Sequence, residues 1–250
     1  MKRIAPLITV AFASGLCAVA AEATPITVAF SGFAGGSENG SLYGQRNVNA
    51  ASGQFQFNVQ SDPDDVYWDT TLKAFCIDVL TNLVTAGSVK YDVVAATSST
   101  SGLNTQQRSL IGQLYDNHAS SLGTYASGGV ARDAAFQLAL WEIIYDFNGP
   151  LNLNNGASRG TFWSSSFDGA SALAQTWLSS LNTGPQTYVS QYDLFVLDPH
   201  TPDRNQTLLT ARTVSVPEPA TLSLLGVGLL AVGICRRRRE SRVIAGSLPN

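Results

Sequence analysis

Cysteine is scarce. The 250 residues hold three, and two of them, Cys17 and Cys235, fall in terminal segments that read as targeting sequence. The exported body keeps one, Cys76, which excludes a disulfide framework within that body. Three roles stay open for it: an intermolecular bridge, a reactive thiol, or a small buried hydrophobe. Histidine is also rare, with His118 and His200 the only two. A Cys-His hydrolase pairing needs one of them beside Cys76, yet His118 falls at the end of a predicted helix and His200 in a proline-flanked loop. There is no internal repeat, Gly-rich phosphate loop or histidine-cysteine metal cluster. Asp62, Asp64, Asp65 and Asp69 offer oxygen ligands for calcium but lack the glycine and distal glutamate of an EF-hand loop. A solvated turn is the simpler reading, and no cofactor is expected.

The two ends carry addresses. Lys2 and Arg3, an apolar run from Leu7 to Ala20, and Ala21-Glu22-Ala23 compose a signal peptide over residues 1–23, so the mature chain is expected to begin near Thr24. Leu16 stands where a lipoprotein signal wants a small residue before its cysteine, which disfavours Cys17 as a lipid anchor. At the other end Pro217-Glu218-Pro219 precedes an apolar stretch, which is closed by Arg236, Arg237, Arg238 and Arg239. As a helix, the stretch from Ala220 to Cys235 spans roughly 24 Å, a little less than a ~30 Å hydrocarbon core, and snorkelling arginines cover the difference. The positive-inside rule keeps those arginines cytoplasmic and the body of the chain outside. This pattern resembles the PEP-CTERM sorting signal of Gram-negative bacteria. The resemblance implies recognition by an exosortase-type processing enzyme, transient or permanent anchoring by the C-terminal helix, and delivery to the cell surface or extracellular matrix.

Between the ends, residues 24–215 form one domain, followed by the sorting signal at 216–239 and a cytoplasmic tail at 240–250. From Thr24 to Pro217 there are eight Lys and Arg against fifteen Asp and Glu, a net charge near −7. Such a surface repels nucleic acid and favours cationic or amine-bearing partners. Strands are expected at Ile26–Phe30, Gln54–Val59, Leu72–Leu80 and Val89–Ala96, then again at Tyr188–Leu197 and Thr207–Val214. Helices are expected from a cap at Asn104 or Thr105, from about Val130 to Phe147, and from Ala170 to Leu181. The fold class is therefore α+β: an antiparallel β frame, sandwich or barrel-like, with a helical insertion between its middle strands.

Cys76 sits in Phe75-Cys76 on the third predicted strand. Gln137 sits in Phe136-Gln137-Leu138-Ala139-Leu140-Trp141 on the second predicted helix, one turn from Trp141 and so on the same face. A carboxamide in so apolar a stretch needs a partner, because an unsatisfied polar group costs about 1–3 kcal/mol when buried. Together the two segments resemble the thioester domains of bacterial surface adhesins, which carry an aromatic-Cys motif on a strand and Thr-Gln-x-x-x-Trp on a later helix. Phe136 departs from that pattern at the threonine position. The resemblance implies that Cys76 and Gln137 condense into an internal thioester, with Phe75, Phe136, Trp141 and Tyr145 shielding it from water. Lys73 and Lys90 are the only lysines of the exported body, and strand alternation turns Lys73 away from Cys76.

Two functions are thus expected of the chain. One is a surface or matrix adhesion protein, not an enzyme, that attaches once and covalently to an amine-bearing target. The alternative is a non-covalent structural or carbohydrate-contacting matrix protein with an inert Cys76.

Overall fold

The computed structural model describes residues 24–63, 68, 70–154, 160–184, 188–201 and 204–214. Seven strands and three α-helices organise them: β1 (Ile26–Tyr43), β2 (Val48–Ser61), β3 (Thr71–Cys76), β4 (Ser88–Ala95), α1 (Thr105–His118), α2 (Arg132–Asp146), β5 (Trp163–Ser165), α3 (Asp168–Ser179), β6 (Tyr192–Pro199) and β7 (Leu208–Thr213). All named pairings are antiparallel. They run β2-β3-β7-β6-β4-β1-β5, and β1 also pairs with β2. Six strands therefore close into a ring, with β5 added at the far end of β1, and the helices all lie between β4 and β6 in sequence.

Closure depends on β1, which is far longer than the five residues its alternation predicts. Its first residues pair with β4 through Ile26↔Tyr91, its length pairs with β2, and its last residues pair with β5 through Leu42↔Ser164. Register shifts between Phe30 and Gly32 and between Phe33 and Ser37 bend it on the way. Gly32 (φ +129°) and Gly36 (φ +122°) sit at these shifts, in backbone conformations that side chains rarely adopt. The Gly-, Ser- and Asn-rich run from Gly35 to Ser41 is strand because β2 and β5 pair with it, not because of its own pattern.

Strand alternation divides the side chains of β2 and β3 between two faces. Phe55, Phe57, Leu72 and Ala74 are buried on one. Ser52 and Phe75 meet the helices on the other: Ser52 Oγ donates to the Ala134 carbonyl of α2 (2.8 Å) and Phe75 stacks on Phe136. β3 ends at Cys76, four residues before the predicted Leu80. Beyond it the main chain finds other partners: the Ile77 amide donates to Thr207 O (3.0 Å) and Asp78 Oδ1 accepts from the Leu80 amide (2.8 Å), an Asx-type turn. The strand predicted from Tyr188 likewise starts at Tyr192, because Asp116 takes the Ser190 hydroxyl and the Gln191 amide instead.

α1 begins with a capping box, Asn104 Oδ1 accepting from the Gln107 amide and Gln107 Oε1 from the Asn104 amide. α2 is the central helix, buried around nearly its whole circumference from Asp133 to Ile143. Its last carbonyls are satisfied by α1, since Gln107 Nε2 donates to Ile144 O and Gln106 Nε2 to Phe147 O. α3 starts two residues earlier than expected. Among the described residues no helix is long and apolar enough to cross a membrane; the expected signal peptide and C-terminal span lie outside those residues.

Candidate functional site

Cys76 is the last residue of β3 and Gln137 lies in the second turn of α2, and the helix crosses the strand end so that the two meet. The Cys76 amide donates to Gln137 Oε1 (2.8 Å), and Gln137 Nε2 donates back to the Cys76 carbonyl (2.7 Å). The carboxamide is thus clasped by the main chain of residue 76. Gln137 is 1% exposed and Cys76 1%, so these bonds are shielded from water and worth more than surface ones. The Cys76 thiol donates to the Asp78 carbonyl (3.1 Å).

Phe75, Phe136, Trp141 and Tyr145 lie on the same two segments as the pair. Phe75 and Phe136 are fully buried and stack at 4.6 Å between centroids, with Tyr115 edge-on to Phe136 at 4.8 Å. Trp141 is buried and lines the groove that Cys76 also lines. The Tyr145 hydroxyl donates to Ile77 O and accepts from the Val79 amide, both 3.1 Å, and so holds the turn that follows Cys76. Burial pushes the Cys76 thiol up to about 12, opposed by its bond to Asp78 O and by the nearby Trp141 indole, while the Asp78 charge pushes the same way as burial. The free thiol is therefore protonated at neutral pH.

The groove holds about 350 Å³. Phe30, Phe33 and Phe55 from the β1–β2 hairpin form one wall, and Val79 and Leu83 of the loop after β3 form the other. Sequence reasoning missed it, because its walls come from segments far apart in the chain; the phenylalanine alternation of β2 was the one signal. A larger cleft of about 550 Å³, lined by Arg108, Tyr188 and Tyr192, contains neither Cys76 nor Gln137.

The other candidates are elsewhere. His118 stacks on Trp177 (4.1 Å) and His200 Nδ1 pairs with Asp92 Oδ1 (2.9 Å), and neither lines the groove. Lys73 and Lys90 are exposed and also outside it. Glu142 is fully buried, but its Oε1 accepts from the Asn152 amide, and Asp146 accepts from Thr161 and Phe162. These carboxylates pin the segment after α2 and do not reach the sulfur's groove. Asp62 accepts from the Trp68 amide, while Asp64, Asp65 and Asp69 lie outside the described residues. No cluster among the described residues has the ligands for a metal. Pro217, Glu218, Pro219 and the four arginines also fall outside them.

No curated protein matches the chain. Among solved structures, the N-terminal thioester domain of a surface protein from Clostridium perfringens, as a Cys-to-Ala mutant, aligns with 13% identity and a TM-score of 0.37, covering 63% of this chain and 88% of that one. Residues 215–239 match the PEP-CTERM protein-sorting motif, which implies export, processing by an exosortase and sorting to the cell surface.

Proposed function

We propose that this is a surface protein that attaches covalently to an amine-bearing partner through an internal Cys76–Gln137 thioester. The observation that carries the reading is the clasp. The Cys76 amide already holds Gln137 Oε1, the oxygen on which negative charge develops when a nucleophile adds to the carboxamide carbon, so it acts as an oxyanion donor. In forming the thioester the thiol sulfur bonds to that carbon, the carbon–nitrogen bond breaks, and the thiol proton leaves with the amide nitrogen as ammonia. The step balances without an external acid or base, with the thiol proton passing to the departing nitrogen as sulfur bonds to the carbon. In the second step an amine attacks the same carbon, the carbon–sulfur bond breaks, and the amine's proton passes to sulfur. The product is an amide on Gln137 and a free Cys76 thiol. The bond is used once, so the protein is an adhesin rather than an enzyme.

Intact mass tests this. The purified ectodomain is expected to weigh one ammonia less than its sequence, and methylamine is expected to add stably to wild type but not to Cys76→Ala. A full sequence mass with no methylamine adduct would refute the reading.

A second reading is favoured by the same clasp. Both polar atoms of the Gln137 carboxamide are satisfied by main chain, which suits a permanent core amide beside an inert thiol in a non-covalent matrix protein. That reading accounts for the clasp but not for the groove that Cys76 lines.

A further inference from the structure

Cys76 lines the groove and Gln137, bonded to the Cys76 main chain, is not part of the described lining, so an amine entering the groove comes up to the residue that Gln137 clasps. The groove's lining is Phe30, Phe33, Leu42, Val48, Phe55, Val79, Leu83 and Trp141 among apolar side chains, with Asn49, Asn82, Thr81, Thr85 and Gln206 among polar ones. Among the described residues that line it there is no aspartate, glutamate, lysine, arginine or histidine. This contrasts with a domain of net charge near −7, whose outer surface attracts cations. The nearest carboxylate in sequence, Asp78, gives Oδ1 to the Leu80 amide and is outside the lining.

Resting on the thioester reading, we infer that the groove selects a primary amine carried on an uncharged, unbranched apolar arm and rejects one whose arm carries a second charge. Desolvation sets this preference. The attacking amine must be the neutral free base, since only it has a lone pair, and an apolar wall costs it little. A second ammonium a few carbons behind would be buried among described lining residues that offer no carboxylate, with Asp78 outside the lining and its Oδ1 accepting from the Leu80 amide, which is unfavourable. An alkyl arm instead gains by covering the phenylalanine walls. The volume, about 350 Å³, is at the small end of ligand sites, which run roughly 300–1,000 Å³. It suits a single side chain. The class of target is thus a lysine-like amine in a locally neutral stretch, and free diamines of the surroundings are excluded.

The test compares n-butylamine with putrescine, which has the same four-carbon arm and a second amine. Adduct formation on the ectodomain is followed by intact mass, with rates normalised to free-base concentration. Wild type is expected to react with n-butylamine about tenfold or more faster than with putrescine. Asn49→Asp, which places a carboxylate at the groove and keeps the oxygen that accepts from Ser41 Oγ, is expected to narrow that gap. Equal rates for the two amines, in protein that has lost its ammonia, would overturn the selectivity and leave the thioester standing. Protein that has not lost ammonia and takes up neither amine would overturn the thioester, and the inference with it.

Discussion

At Cys76 the proposed chemistry and the folding role belong to different atoms. Gln137 bonds the amide and carbonyl of residue 76, not its sulfur. Cys76→Ala therefore keeps both bonds and, against wild type that has not condensed, is expected to cost no more than about 1–2 kcal/mol in chemical denaturation, while abolishing any amine adduct. Gln137→Ala removes a buried side chain and orphans two buried main-chain groups, for an expected loss of about 2–5 kcal/mol. Equal losses for the two variants would mean the clasp is not formed. The spacing of Gln137 and Trp141 was legible in the sequence as one helix face, as was the apolar setting of Phe75-Cys76. The identity of the clasped atoms was not, because main-chain partners leave no mark on residue type. Glu142 shows a similar limit: the letters show an acid in an apolar helix, and only packing shows it wholly buried.

Among the elements, α2 acts on the strand end at two places, through Gln137 at Cys76 and through Tyr145 at the following turn. The Tyr145 hydroxyl replaces the ladder partners that Ile77 and Val79 would otherwise need, which is why β3 stops at Cys76 despite the apolar residues beyond it. Tyr145→Phe leaves an amide and a carbonyl without this partner. It is expected to cost about 1–3 kcal/mol and to speed amide hydrogen exchange at Val79 more than in β4. Unchanged exchange at Val79 would show that the turn is held by other contacts. Alternation located the cores of β2, β3, β4 and β7 and helical spacing located all three helices. β1 escaped because its second half is Gly-, Ser- and Asn-rich, and β5 because three residues carry no period.

The molecule as a whole has a pH dependence written into its buried acids. Burial raises Glu142 from an ordinary 4.5 to about 8, the Asn152 amide opposes this, and the Asp146 charge adds to it. The folded protein then holds a proton that the unfolded chain releases above about 4.5. Between there and about 8 the folded state binds more protons, so stability falls as pH rises through that window. Burial also raises Asp133, with the same sign. The expected outcome is a Tm that drops between pH 5 and pH 8, worth up to a few kcal/mol. Glu142→Gln should flatten that slope, and a slope the substitution leaves unchanged would place the titration elsewhere.

The last described strand, β7, is bonded on one side to β3 and on the other to β6. A tensile force entering the domain from the C-terminal side reaches it through Thr213, which β6 alone holds at Tyr192, and passes along the strand to Leu208 and Leu209, where β3 and β6 both pair with it. From β3 the strain passes across the Cys76–Gln137 contact into α2, the helix on which a captured partner would hang. Under the proposed function, tether and captured partner would thus be joined by a short mechanical route that bypasses most of the ring.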